Sequence, residues 1–224
     1  YHGYWPIYTT KVDDRFGTED ELRELLPTAH ENGMNVILDY VANHTSPDAA
    51  WVTEKPAEWY VRDSTGKPIV QYDWTDISKL NYECEEVHAA MYDVLKFWIE
   101  KGVDGFRCDV AGEVPDAYWT KAWAELKKLN PDIYLLAEGE GVNFHTAGFD
   151  ATYGWKLLHI MNDIAKGDKT TADLKAWIAE FTNEYPREAF RLLFTSNHDE
   201  NSWSGTEFER YGEGAEAFAA MTYV

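Results

Sequence analysis

The sequence predicts an α/β fold of parallel strands joined by helical crossovers. Three observations carry this. Amphipathic helical runs closed by Gly or Pro lead directly into short apolar strands, at 18–33 into 35–41, 86–101 into 103–110 and 115–129 into 133–137. The strands are separated by helix-length connections rather than hairpin turns, which demands parallel pairing with crossovers. The strands also end in acids, amides or histidines, as parallel folds with a site at their carboxyl edge do. An open doubly wound sheet and a (β/α) barrel both satisfy these observations.

Taken in order, residues 1–17 are aromatic and glycine-rich and read as loop. Thr18 and Glu21 form a capping-box pattern, after which Leu22, Leu25, Leu26 and Ala29 recur at helical spacing and Gly33 ends the helix. Asn35 to Val41 reads as a strand. The polar stretch from about 45 to 85 breaks the rhythm and carries Trp51, Trp59, Tyr60, Tyr72 and Trp74. A long insertion after a strand of this kind belongs on the functional face. Glu86 to Lys101 is a helix with Val87, Met91, Val94, Leu95 and Trp98 on one side, stopped by Gly102. The strand 103–110 follows, then a helix begun near Pro115, then the strand 133–137. Leu157 to Ala165 and Ala172 to Glu184 are further helical patterns. Arg191 to Thr195 is the last clear strand, and the tail from Gly214 to Val224 reads as helix.

The segment Gly102 to Val110 organises the chain. Side chains alternate along a strand, so Arg107 and Asp109 share one face while Phe106, Cys108 and Val110 share the other. A guanidinium beside Asp109 is expected to lower the pKa of this carboxylate and keep it ionised, as a nucleophile requires. The other strand ends add Asp39, Asn43 and His44, then Glu138 and Glu140, then Asn197, His198 and Asp199. Each alone has a plain reading: Asp39 capping a loop, His44 a half-buried imidazole, Asn197 holding a turn. Their joint placement at strand ends points to a reactive mouth. Paired carboxylates suit glycoside hydrolysis. A metal hydrolase is the weaker reading, because no HxH or HExxH pattern supplies nitrogen ligands.

The composition agrees. The 224 residues, 45% hydrophobic, suffice for one sizeable core or two small ones. Ten Trp and fourteen Tyr supply flat amphipathic platforms for a ligand with an apolar face and a hydroxyl rim. A net charge of −20 argues against nucleic acid or an anionic membrane as partner. Cys84 and Cys108 are expected as free thiols, and no apolar run is long enough to span a membrane.

Four segments together resemble the signature regions of the α-amylase family of glycoside hydrolases (family 13), in that family's order. They are Asp39-Tyr40-Val41-Ala42-Asn43-His44, Gly105-Phe106-Arg107-Cys108-Asp109, Ala137-Glu138 and Ser196-Asn197-His198-Asp199. Tyr1-His2-Gly3-Tyr4-Trp5 and Phe16-Gly17-Thr18 match upstream of the first. The resemblance implies a (β/α)8 TIM barrel and a retaining glycosidase acting on α-1,4 links of starch-like glucans or maltooligosaccharides. Transglycosylases and enzymes for α-1,6 links or disaccharides occur in the same family, and a non-catalytic glucan-binding relative is the alternative of another class. By the resemblance, Asp109 is the nucleophile, Glu138 the general acid and base, and Asp199 the third carboxylate. Arg107 keeps Asp109 ionised and oriented, Asp39 orients Arg107, and Tyr4, His44 and His198 bind the sugar. Glu140 is a rival acid, disfavoured because Glu138 follows the apolar strand directly. Asn43 matches a ligand of the structural calcium found in many members. The family's basic residue and histidine after the nucleophile are replaced here by Gly112 and Glu113.

The resemblance also sets expectations about extent. Residues 1–44 and 86–224 would be barrel, with 45–85 the inserted domain. The barrel would be incomplete, lacking its first two strands and its eighth, with apolar strand edges exposed. A glucan substrate implies an extracellular or periplasmic setting, and no organic cofactor is expected.

Overall fold

In the computed structural model, residues 2–223 are described; the expectations placed on Tyr1 and Val224 lie outside them. The chain forms two compact units. One holds the chain through Gly139 together with Thr146–Phe149, and the other holds Glu140–His145 and the chain from Asp150 onward.

In the first unit, α1 (Glu19–Glu31) begins in the capping box, with the Thr18 side chain accepting from the Glu21 backbone and Glu21 reaching back. β1 (Ile37–Val41) follows, and the chain then enters the aromatic insertion. There β2 (His44–Thr45) pairs antiparallel with β3 (Ser78–Lys79), setting His44 opposite Lys79. The short α2 (Ala50–Glu54) lies between them in sequence. α3 (Glu85–Glu100) leads into β4 (Gly105–Asp109), α4 (Asp116–Leu129) and β5 (Tyr134–Ala137). Gly102 stops α3 with φ +101°, a conformation that side-chain-bearing residues rarely adopt. Gly105 has a second reason to be glycine: a Cβ there would lie 2.0 Å from the Tyr134 carbonyl oxygen.

β1, β4 and β5 run parallel, with Asp39 opposite Arg107 and Arg107 opposite Leu136. In register, cross-strand partners face the same side. Asp39, Arg107 and Asp109 therefore share one face, and Glu138, two residues past Leu136, continues it. The opposite face is apolar. Tyr40, Phe106, Cys108, Leu135 and Ala137 are buried there. Trp119 of α4 meets Tyr40 edge-on at 6.2 Å between centroids and stacks on Trp123 at 5.1 Å, and Phe149 packs edge-on against both tryptophans. Burying several aromatic rings dominates the stability of this layer, at about 1.5–3 kcal/mol for each large side chain.

The α5 segment (Val142–Ala147) precedes β6 (Ala151–Tyr153). In the second unit, β6 pairs parallel with β7 (Phe190–Leu192) across α6 (Trp155–Lys166) and α7 (Thr171–Glu184). Leu157, Leu158, Ile160, Met161 and Trp177 form its core with Tyr211 and Ala215. The chain finishes in α8 (His198–Trp203), α9 (Glu207–Tyr211) and α10 (Ala215–Met221). The strand expected at 191–195 is shorter and begins one residue earlier, and its Phe190 is 70% exposed. Backbone pairing to β6 extends only through Leu192, so Leu193 and Phe194 leave the ladder and pack on the α6 core instead. Both cysteines are free thiols. Among the described residues, no helix is long and apolar enough to cross a membrane.

Candidate active site

The polar face of β1, β4 and β5 converges on Arg107. Its Nη1 lies 2.7 Å from Asp39 Oδ1 and 2.9 Å from Asp109 Oδ1, and its Nη2 lies 2.6 Å from Glu138 Oε1. Arg107 is only 6% exposed and Asp109 only 7%, so these are desolvated charges rather than a surface cluster. Glu138 thus meets the same guanidinium that holds Asp109. The arrangement is two acids held against one fixed, buried cation.

The expectation that Arg107 leaves Asp109 with a lowered pKa does not hold. The net direction is upward: burial is the largest influence, Arg107 opposes it, and the Asp39 charge adds to the rise. A strand sequence shows the guanidinium but not how deeply the folded chain buries the carboxyl beside it.

That loop holds a second departure. Val110 was expected to continue the strand, but β4 ends at Asp109 and Val110 takes φ +39°. A β-branched residue in that region is strained by about 1–3 kcal/mol. The surroundings hold it there. Its N–H donates to Glu138 Oε2 at 2.7 Å, and the next N–H, of Ala111, donates to the Glu138 carbonyl at 3.1 Å. Trp119 Nε1 donates to the Ala111 carbonyl at 3.0 Å. Glu138 therefore also anchors the turn that ends Asp109's strand.

Tyr4 lies across this face. Its hydroxyl donates to Asp39 Oδ2 at 3.3 Å, and its ring centroid is 5.4 Å from the Arg107 guanidinium. Burial, reinforced by Asp39, pushes the Tyr4 phenol well up, so it remains a donor. The Tyr4 carbonyl accepts from His44 Nε2 at 2.7 Å. With Nε2 as donor, Nδ1 of a neutral imidazole is the acceptor, and Asn43 Nδ2 faces it at 3.2 Å. Burial lowers the His44 pKa, in keeping with the neutral ring. Asn43 Nδ2 also donates to Gln71 Oε1 at 2.7 Å, and Gln71 Nε2 donates to Glu113.

Tyr4, Asp39, Asn43, His44, Arg107, Asp109 and Glu138 are thus gathered in the first unit. His198 and Asp199 belong to the second, at the start of α8. There Asn197 caps the helix, accepting from the Asp199 and Glu200 N–H groups at 3.0 and 2.8 Å, and His198 Nε2 lies 3.5 Å from Asp199 Oδ2. Glu140 is also in the second unit and is committed elsewhere. It pairs with Arg191, whose side chain is 4% exposed, and accepts from the Lys156 N–H at 2.8 Å. Gln71, Lys79 and the strained backbone of Val110 lie outside the sequence-based expectations, and Tyr72 enters them only as an aromatic of the insertion. No local pattern marks them, because their partners lie tens of residues away in sequence. Among the described residues, no cluster of three or more His, Cys, Asp or Glu side chains is disposed to hold a metal ion.

Comparison with known proteins identifies the family. The family profile described as "Alpha amylase, catalytic domain" matches residues 1–74 and 54–222. Alpha-amylase 3 of Dictyoglomus thermophilum is 29% identical over 89% of this chain and 46% of its own length. An oligo-1,6-glucosidase of Heyndrickxia coagulans is 32% identical over 46% of this chain and 24% of its own length. The crystal structure of an α-amylase from Lactobacillus plantarum superimposes with a TM-score of 0.82 at 30% identity, over 88% of this chain and 50% of that one. The chain spans half or less of the length of these relatives. Its parallel strand–helix units are part of their (β/α)8 barrel.

Proposed function

The chain belongs to the α-amylase family of glycoside hydrolases, and from that premise we propose that the protein is a retaining glycosidase cleaving α-1,4-glucosidic bonds of starch-like glucans or maltooligosaccharides. The observation that carries the reading is the contact of one buried guanidinium with both Asp109 and Glu138. Retaining enzymes set their two carboxyls about 5–5.5 Å apart, whereas inverting enzymes leave room for a water at about 6.5–9.5 Å. Two carboxyls held by the same guanidinium favour the first class.

In this reading Asp109 attacks the anomeric carbon and forms a glycosyl-enzyme ester, while Glu138 protonates the leaving oxygen. Glu138 then takes a proton from water, which attacks the ester and releases the sugar with its α configuration. Arg107, positioned by Asp39, offsets the charge on Asp109 before attack. Tyr4 and His44 bind the sugar ring, and Asp199 and His198, in the second unit, are a third carboxylate and a further sugar-binding histidine by family resemblance alone. A polymeric substrate would place the enzyme outside the cytoplasm.

A second reading, cleavage of α-1,6 links, is favoured by the oligo-1,6-glucosidase among the relatives. Maltoheptaose and isomaltotriose, each followed by NMR of the anomeric protons in the full-length protein, separate the cases. New α-anomer from maltoheptaose, abolished by Asp109→Asn, is the expected result. Cleavage of isomaltotriose alone moves the assignment to α-1,6 links. β-anomer appearing first refutes retention, and binding without turnover of either sugar indicates a glucan-binding relative.

A further inference from the structure

Family resemblance implies a structural calcium at Asn43, and the residues around Asn43 do not fit one. A calcium ion needs six to eight oxygen ligands, carboxylates prominent among them. Asn43 turns its amide nitrogen, not its oxygen, toward Gln71. The acid this network leads to is Glu113, and both of its oxygens are engaged. Oε1 accepts from the Tyr72 hydroxyl at 2.5 Å. Oε2 accepts from Gln71 Nε2 and faces Lys79 Nζ at 3.6 Å. A cation therefore already stands at the carboxylate, and it belongs to the protein.

Lys79 is placed for this by backbone, not by chance of a mobile side chain. In the β2–β3 pairing it sits directly opposite His44, and the neighbouring Leu80 N–H donates to the Asn43 carbonyl at 3.0 Å. The Lys79 and Glu113 side chains are 24% and 27% exposed, so the pair is partly shielded from water. Tyr72 holds its hydroxyl on Glu113 from a left-handed backbone, φ +53°, unusual for an aromatic residue. These contacts tie the insertion to the loop that follows Asp109 and set the direction of the hydrogen-bond chain through Gln71 and Asn43 to His44.

We propose that the Lys79 ammonium supplies at Glu113 the positive charge that a bound divalent cation would otherwise bring, so that this tether between the insertion and the loop after Asp109 is built without metal.

Thermal unfolding of the full-length protein, in EDTA and in calcium chloride, tests this without reference to catalysis. A calcium ion bound at about a hundredfold excess over its Kd raises Tm by roughly 5–10 °C. Any calcium response of the wild type, from sites elsewhere, should be the same in Glu113→Gln. Lys79→Met should lower Tm in EDTA by several degrees, and adding Glu113→Gln to it should restore part of the loss, since the carboxylate left without its cation is then removed. A calcium-induced rise in wild type that Glu113→Gln abolishes would overturn the proposal. So would a Lys79→Met protein that melts with the wild type. Because the readout is stability, failure of the glycosidase reading would leave this result standing, and the reverse holds.

Discussion

Arg107→Met is the perturbation that reads the site most directly. Methionine keeps most of the side-chain volume, so the change removes charge rather than packing. Arg107 contacts Asp39, Asp109 and Glu138, and neither it nor Asp109 is more than 7% exposed. Removing one partner of a buried ion pair costs about 3–5 kcal/mol, because the remaining charge is left uncompensated. The loss should depend on pH, with a definite sign. Burial already raises Asp109 above its unfolded value, and without the guanidinium nothing comparable opposes that rise. A carboxyl whose folded pKa is raised binds its proton more tightly in the folded state. Its stability contribution is therefore present at low pH and is lost as pH climbs through the folded value, by up to about 1.4 kcal/mol per pH unit. Urea unfolding of wild type and variant between about pH 5 and pH 8 should show a deficit that widens toward alkaline pH. Adding Asp109→Asn should recover part of it, giving a coupling between the two positions of the order of 1–3 kcal/mol. A deficit under about 1 kcal/mol, or one that is flat with pH, would mean that solvent reaches Arg107 and that the buried-pair account is wrong.

Other outcomes separate the remaining claims. Glu138→Gln should lower kcat/KM on maltooligosaccharides by about 10²–10⁴, the usual worth of a general acid, with little change in substrate binding. Glu140→Gln should leave the rate within a few fold but cost about 3 kcal/mol of stability, since it strands Arg191; the opposite pattern would exchange their roles. The acid limb of the kcat/KM profile should lie above the ordinary carboxylate range, because Asp109 is raised, and Asp39→Asn should move it to lower pH by removing a charge that pushes Asp109 up; an unmoved limb would detach Asp109 from it. Trp119→Ala should cost about 3–5 kcal/mol in urea melts, and lose activity besides, because Trp119 both fills the layer behind β4 and holds the Ala111 carbonyl.

The sequence by itself determined the succession of elements and put forward the residues proposed to carry chemistry. Helix stops at Gly33 and Gly102, the capping box at Thr18 and the period-two alternation in Gly105–Asp109 are local properties, written within a few residues. Alternation alone placed Arg107 and Asp109 on one face. Parallel register, however, is a relation between distant segments, and only the fold brought Asp39 and Glu138 onto that face beside them. Tertiary structure also reversed one inference, since the direction of the Asp109 pKa depends on how deeply the fold buries that carboxyl. Likewise it separated Glu138, beside Arg107, from Glu140, beside Arg191. They have the same strand parity, but the chain turns after β5 and delivers Glu140 to Arg191, 51 residues on. Val110 reads as strand because its side chain favours strand; its left-handed backbone is imposed by hydrogen bonds to Glu138 and Trp119's hold on the next residue. The Lys79–Glu113–Gln71–Asn43 chain had no local signal at all. Side chains that meet across 28 to 42 residues do so because strands and loops were first fixed by burial, and burial is a property of the whole molecule rather than of any window of its sequence.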